Sequence, residues 1–305
     1  MPDPNPNPDP NKDNDDSLPH RNQRVPLAYE NKRFLNGPDG RILRILAEYQ
    51  EPLSKFRRER IQDTIVFFGS ARFHSREDAQ AALEGLQKSG GDSVDLAERI
   101  KRAESNLDNS RYYEDARHLA YLISKWTQTI AQPRRRFVVC TGGGPGIMEA
   151  ANRGASEAGG KTIGLNINLP SEQVPNPYIT PELNFEFHYF FMRKLWFAYL
   201  AKALVVFPGG FGTFDEMFEL LTLAQTEKLA KHICVVVYGR KYWEKVVNFQ
   251  ALVDAGTISA KDLDLIHWAD TPEGAFELLR SDLEQHHIDR SNSAEKEPEI
   301  AKTRP

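Results

Sequence analysis

The sequence predicts an α/β fold, a doubly wound Rossmann-type parallel sheet with helices on both faces. Three observations predict it. Apolar runs such as "IVFF" at 65–68 and "CVVVY" at 234–238 have the length and residue types of buried strands. From residue 137 onward such runs alternate regularly with segments of helical period, which requires parallel pairing covered on both faces. Three glycine corners, at 69, 142–146 and 209–212, each follow a strand. In doubly wound sheets, ligands bind at that end.

Each element follows in order. Residues 1–25 are rich in Pro, Asn and Asp and are expected to be a disordered tail, because they hold too little apolar surface to order themselves. Residues 26–62 read as an N-terminal helical extension, with Pro52 expected to break the helix in "GRILRILAEYQEPLSKFRRER". A single domain is expected over 63–290, and a second disordered tail over 291–305. Within the domain, strand 65–68 turns at Gly69-Ser70. Residues 76–108 read as an inserted helical hairpin broken at Ser89-Gly90-Gly91, and a separate helix is expected near 112–130. Strands are expected at 137–140, 161–167, 203–207, 233–238 and 264–268. Helices are expected after "GGGPG" and at 189–201, 213–229, 242–254 and 272–285, with a proline-rich loop before 189.

Composition narrows the function classes. The 305-residue chain carries a net charge of −4, which gives no argument for a nucleic-acid partner. No apolar run approaches the ~18 residues of a membrane span. The N-terminus lacks the apolar core of a signal peptide, so a cytoplasmic protein is expected. Cys140 and Cys234 lie in apolar runs and read as buried structural thiols. His286 and His287 sit in a polar stretch and read as solvated. No CxxC pair or HExxH motif points to a metal, and none is expected.

The corners carry the chemistry. In "CTGGGPGIMEA", Gly142, Gly143 and Gly144 exceed what a tight turn needs, and the helix start behind them favours an anion. A dinucleotide site fails, since the third glycine position holds Ile147 and the next strand runs into Asn166-Ile167-Asn168 with no acid for a ribose. "GGKT" at 159–162 is no phosphate loop, because Ala155 stands where a glycine is needed. "VVFPGGFGTFDEMFEL" supports two readings. Thr213 and Glu216 match a helix capping box. Equally, Gly209, Gly210 and Gly212 suit a phosphate cradle with a carboxylate beside it. In "FHYFFMRKLWFAYLAKA", Arg193 and Lys194 interrupt an apolar helix. They are either a solvated pair or an anion-binding arginine aimed over the strand ends.

Together these residues resemble the Lonely Guy family of cytokinin riboside 5′-monophosphate phosphoribohydrolases. The PGGxGTxxE motif stands intact from Pro208 to Glu216, the upstream pair is Arg193-Lys194, and the Gly69-Ser70 and Gly142-Gly143-Gly144 corners match in order. The likeness covers about 63–290 without the 76–108 insert. Relatives are often labelled lysine decarboxylases, but no pyridoxal phosphate site is recognisable and no cofactor is expected. The resemblance implies hydrolysis of the N-glycosidic bond of a nucleoside 5′-monophosphate, AMP or a cytokinin-type nucleotide, to free base and ribose 5-phosphate. It implies Arg193 and Glu216 as the catalytic pair. It places Gly69, Ser70, Gly142, Gly143, Gly144, Met192, Lys194, Gly209, Gly210, Gly212 and Thr213 around the nucleotide. The phosphate falls mainly to the Gly210–Thr213 end. A homo-oligomer without nucleic-acid or membrane partners is implied. The long N-terminal extension, the insert and the aromatic "FHYFFM" depart from compact family members and leave the base open. The rival reading is a nucleotide or cofactor carrier or sensor without turnover.

Overall fold

The computed structural model describes residues 25–89, 94–132, 134–168, 174–226, 228 and 231–288. Apart from Val25, the tails expected at 1–25 and 291–305 lie outside the described residues, as does Gly90-Gly91. Contacts divide the chain after Arg44. In the first unit, α1 (Lys32–Asn36) is capped by Asn31, whose side chain accepts from Phe34 N. Arg44 closes this unit locally by donating to Gly37 O at 2.7 Å.

Helix α2 (Arg41–Arg58) runs through Pro52 without breaking. A proline there leaves the carbonyl of Glu48 without its helical N–H. The indole Nε1 of Trp196 donates to that carbonyl at 3.0 Å instead, and this tertiary bond replaces the missing local one. Trp196→Phe keeps the aromatic contacts with Tyr49 and Phe56 but strands the carbonyl, so a loss of about 1–3 kcal/mol is expected in denaturant unfolding. Adding Pro52→Ala restores the helical donor and should recover part of that loss. No recovery would show that volume, not the hydrogen bond, makes the indole necessary.

The second unit is built on seven parallel strands: β1 (Thr64–Phe68), β2 (Val138–Thr141), β3 (Thr162–Ile167), β4 (Asn184–Phe187), β5 (Ala201–Val206), β6 (Cys234–Tyr238) and β7 (Ile266–Ala269). Their order is β4-β3-β2-β1-β5-β6-β7. The winding reverses between β1 and β5, which is the switch point of the sheet. Along β1 the side chains alternate between two cores: Ile65 and Phe67 enter one, Val66 and Phe68 the other. Cys140 and Cys234 are buried free thiols, as the apolar runs that hold them predict.

The connecting helices are α3 (Arg76–Lys88), α4 (Val94–Thr127), α5 (Ile147–Glu157), α6 (Phe190–Leu200), α7 (Phe211–Gln225), α8 (Arg240–Val246), α9 (Phe249–Asp254) and α10 (Pro272–Leu283). One face of the sheet is covered by residues of α4, α5 and α10. The other is covered by α6, α7 and the Leu53–Phe56 turn of α2.

Four expectations are corrected. The second arm of the hairpin and the expected 112–130 helix are one 34-residue helix, α4. Polar Asn109 and Ser110 do not end it, because Ser110 is buried and bonds back to Leu107 O at 2.7 Å. The expected 242–254 helix divides into α8 and α9, since Val247 is extended and Asn248 caps a new start. The proline-rich loop ends in a strand missed in the sequence, β4, whose Phe185 and Phe187 alternate inward. His286 and His287 are half-buried rather than solvated. A π-helical turn, Glu284–Ile288, carries them back onto the fold, where His286 stacks on His232 at 4.0 Å between centroids.

Candidate active site

The three glycine corners meet at the switch point, and Ser70 ties them together. Its N–H donates to Pro208 O at 2.9 Å, and its carbonyl accepts from Ile147 N at 3.1 Å. Gly69 is required by packing: a Cβ there would lie 2.7 Å from the Ile147 side chain. Gly146, at φ +71°, passes close to Ser70 O in a conformation that other residues avoid.

The corner after β2 is held by asparagines. Thr141 Oγ1 donates to Asn152 Oδ1 and accepts from Gly143 N. Asn176 Nδ2 donates to the carbonyls of Gly143 and Gly144 and to Asn152 Oδ1, at 2.9–3.1 Å. These carbonyls are therefore satisfied without a ligand. A Cβ at Gly142 would lie 2.4 Å from Arg193 Nη2, so this glycine makes room for the guanidinium.

The corner after β5 differs. Gly209 is fixed by Thr213, which packs over it, and its carbonyl accepts from Tyr242 Oη at 2.8 Å. A Cβ at Gly210 or at Gly212 meets nothing within 4 Å. Packing does not demand either glycine. Gly210 is the N-cap of α7, and Phe211 beside it is 97% exposed. The amides of Phe211 and Gly212, at the first two helical positions, have no intrahelical acceptor by the geometry of a helix start. The α5 start is less open, because Ser70 already takes the Ile147 amide.

The capping-box reading is overturned. Because Gly210 is the cap, Thr213 and Glu216 lie inside α7, and no side chain caps the helix. Glu216 is instead buried, only 5% exposed, beside Lys194. The ammonium of Lys194 lies 2.9 Å from Asp215, 3.4 Å from Glu216 and 2.7 Å from Glu219. Burial pushes the Glu216 carboxyl up to about 7, against the pull of Lys194 and Arg193. Burial opposes the Lys194 charge too, but its bonds to Glu219 and Asp215 outweigh that and push it up.

Arg193 and Lys194 are half-buried, not a solvated pair. Arg193 Nε donates to Leu165 O at 2.7 Å, and the guanidinium lies 5.0 Å from the Phe197 ring centroid. Burial holds the Arg193 pKa below its ordinary value, with Glu216 as the nearby charge that opposes the shift. The structure therefore brings Arg193, Lys194 and Glu216 to the corners of Gly142 and Gly210. Met192 does not join them: it packs in the core beneath α6. Sequence reasoning missed Asn152 and Asn176, which hold the corner after β2. The available signal was Asn152, a polar residue on the otherwise apolar face of α5; Asn176 sits in the proline-rich loop and gave none.

The family model described as "Possible lysine decarboxylase" matches residues 148–279. No curated protein matches the chain. Among solved structures, the chain is similar to the molybdenum cofactor carrier protein from Chlamydomonas reinhardtii, at 20% identity and a TM-score of 0.43, covering 73% of this chain and 98% of that one. It is also similar to TM1055, a structural genomics target, at 20% identity and a TM-score of 0.44, covering 72% of this chain and 99% of that one.

Proposed function

We propose that this chain, whose residues 148–279 match the family model described as possible lysine decarboxylase, is a nucleoside 5′-monophosphate phosphoribohydrolase of the Lonely Guy type. The observation that carries the reading is Glu216, a buried carboxyl held near neutrality beside an open, glycine-built helix start. The substrate phosphate sits at the Gly210–Thr213 start of α7, where unused amides and the helix dipole favour an anion. Gly142–Gly144 and Ser70 border the ribose. Glu216, ionised, faces the ribose, stabilises the oxocarbenium-like charge that grows as the base departs, and orients the attacking water. Arg193 assists the departing base, and Lys194 keeps Glu216 ionised. The bond broken joins C1′ to the base nitrogen. Water supplies the hydroxyl to C1′ and a proton to the base.

Pyridoxal phosphate, which a decarboxylase label would bring, does not fit this corner. Lys194, the lysine at the site, is engaged by three carboxylates and offers no free amine. The active species is taken to be a cytoplasmic homo-oligomer that covers the exposed Phe190, Phe191 and Leu195 of α6.

The test is a panel of nucleoside monophosphates, including AMP and N6-isopentenyl AMP, with free base and ribose 5-phosphate followed on size-fractionated protein. Equal release of both products, from an oligomeric fraction, is expected. Tight nucleotide binding without release would replace the hydrolase by a carrier or sensor, and activity confined to the monomer fraction would remove the oligomer.

A further inference from the structure

At the opposite end of the sheet, three of the eight histidines in the chain, His232, His267 and His286, gather around one carboxylate, Asp282, and a fourth, His287, stands beside His232. They come from separate elements. His232 precedes β6, His267 lies in β7, and His286 and His287 lie in the turn after α10, while Asp282 is near the end of α10 itself. His232 Nε2 is 2.9 Å from Asp282 Oδ1, and His286 Nδ1 is 3.4 Å from the same oxygen. The candidate ligand atoms of His232, Asp282 and His286 all lie within 4.8 Å of one another. Those of Cys234, His267 and Asp282 do so as well, on the side toward the sheet.

We propose that His232, Asp282 and His286 form a binding site for one divalent transition-metal ion of the zinc class. Two features favour a cation over a plain ion-pair network. First, the donors are imidazole and carboxylate with a thiol nearby, the set that zinc prefers. Second, metal–nitrogen bonds of about 2.0–2.1 Å in a tetrahedron place neighbouring ligand atoms roughly 3.3 Å apart. The two nitrogen-to-oxygen separations already bracket that spacing. An arriving ion exchanges the bond between His286 Nδ1 and the Asp282 carbonyl, 3.0 Å long, for a metal–nitrogen bond. The site opens to solvent through His232, 39% exposed in its side chain, so an ion has a path in. Its role is structural: bound metal would clamp the turn after α10 to the start of β6, far from the glycine corners.

The experiment uses the full, untagged chain, first stripped with a chelator. Zinc is titrated calorimetrically, cobalt absorption reports the coordination geometry, and thermal unfolding is followed with and without zinc. One ion per chain, a tetrahedral cobalt spectrum and a rise in Tm are expected. His232→Ala and His286→Ala should each weaken binding at least tenfold and remove the zinc-dependent rise in Tm, and should leave nucleotide hydrolysis unchanged. Both positions are at least partly exposed, so the metal-free variants should unfold near the metal-free wild type. Absence of binding, or binding unchanged in both variants, would overturn the site.

Discussion

Glu216→Gln is expected to lower kcat by roughly 10²–10⁴, the range for loss of a positioned acid–base group, while nucleotide affinity changes only severalfold. The amide keeps the shape of the carboxylate and loses its charge, so binding at the glycine corner survives and stabilisation of the departing ribose does not. The pH dependence gives an independent readout. The wild-type kcat should rise with pH as the carboxyl, held at about 7, ionises. Removing Lys194 as Lys194→Met takes away a charge that favours the ionised form, and the limb should move to higher pH. Stability moves oppositely. The unfolded carboxyl loses its proton near its ordinary 4.5, whereas the folded one keeps it to about 7. Between those values the folded state binds more protons, so stability falls as pH rises. At about 1.4 kcal/mol per tenfold, the ionised wild type at pH 8 loses on the order of 3 kcal/mol that Glu216→Gln keeps. A variant with full turnover and no change in the stability slope would return Glu216 to a packing role.

The sheet was legible because its signal is dense. Four or five apolar residues in a row between helices, as at 65–68, leave a buried parallel strand as the economical reading. β4 was not legible, since its inward pair, Phe185 and Phe187, is too short a pattern beside four prolines. Continuity of α2 through Pro52 depends on a tertiary bond that no local window contains, and continuity of α4 through Ser110 on burial of that side chain against the rest of the fold. At the site, the glycines announced the corners but not their separate reasons. Gly69 and Gly146 serve packing around Ser70, whereas Gly210 and Gly212 face open space. Only distances separate those cases. The capping-box match at Thr213 misled for a related reason. A pattern of residue types fixes spacing but not where the helix begins, and Gly210 starts it three residues early.

Arg193→Lys is expected to lower kcat/KM by about 10²–10³, as when one preorganised donor is removed from a charged transition state. Arg193 does two things with one planar group. Its Nε fixes the side chain to Leu165 O, and its Nη2 reaches the space that Gly142 leaves free. A lysine ammonium is a single point of charge on a flexible stem and cannot fill both places. Gly142→Ala approaches the same geometry from the other side. Its added Cβ would lie 2.4 Å from Arg193 Nη2 and 2.8 Å from Met148 Sδ, both ends of flexible side chains. Gly142 has no left-handed backbone to lose, so the alanine variant should fold with a Tm close to wild type while displacing the guanidinium. Its turnover should fall at least tenfold, and combining it with Arg193→Lys should add little, because both changes remove one arrangement. Wild-type turnover in Gly142→Ala would mean that the guanidinium over this glycine takes no part in the reaction. Fully additive losses would assign Gly142 to contact with the nucleotide itself.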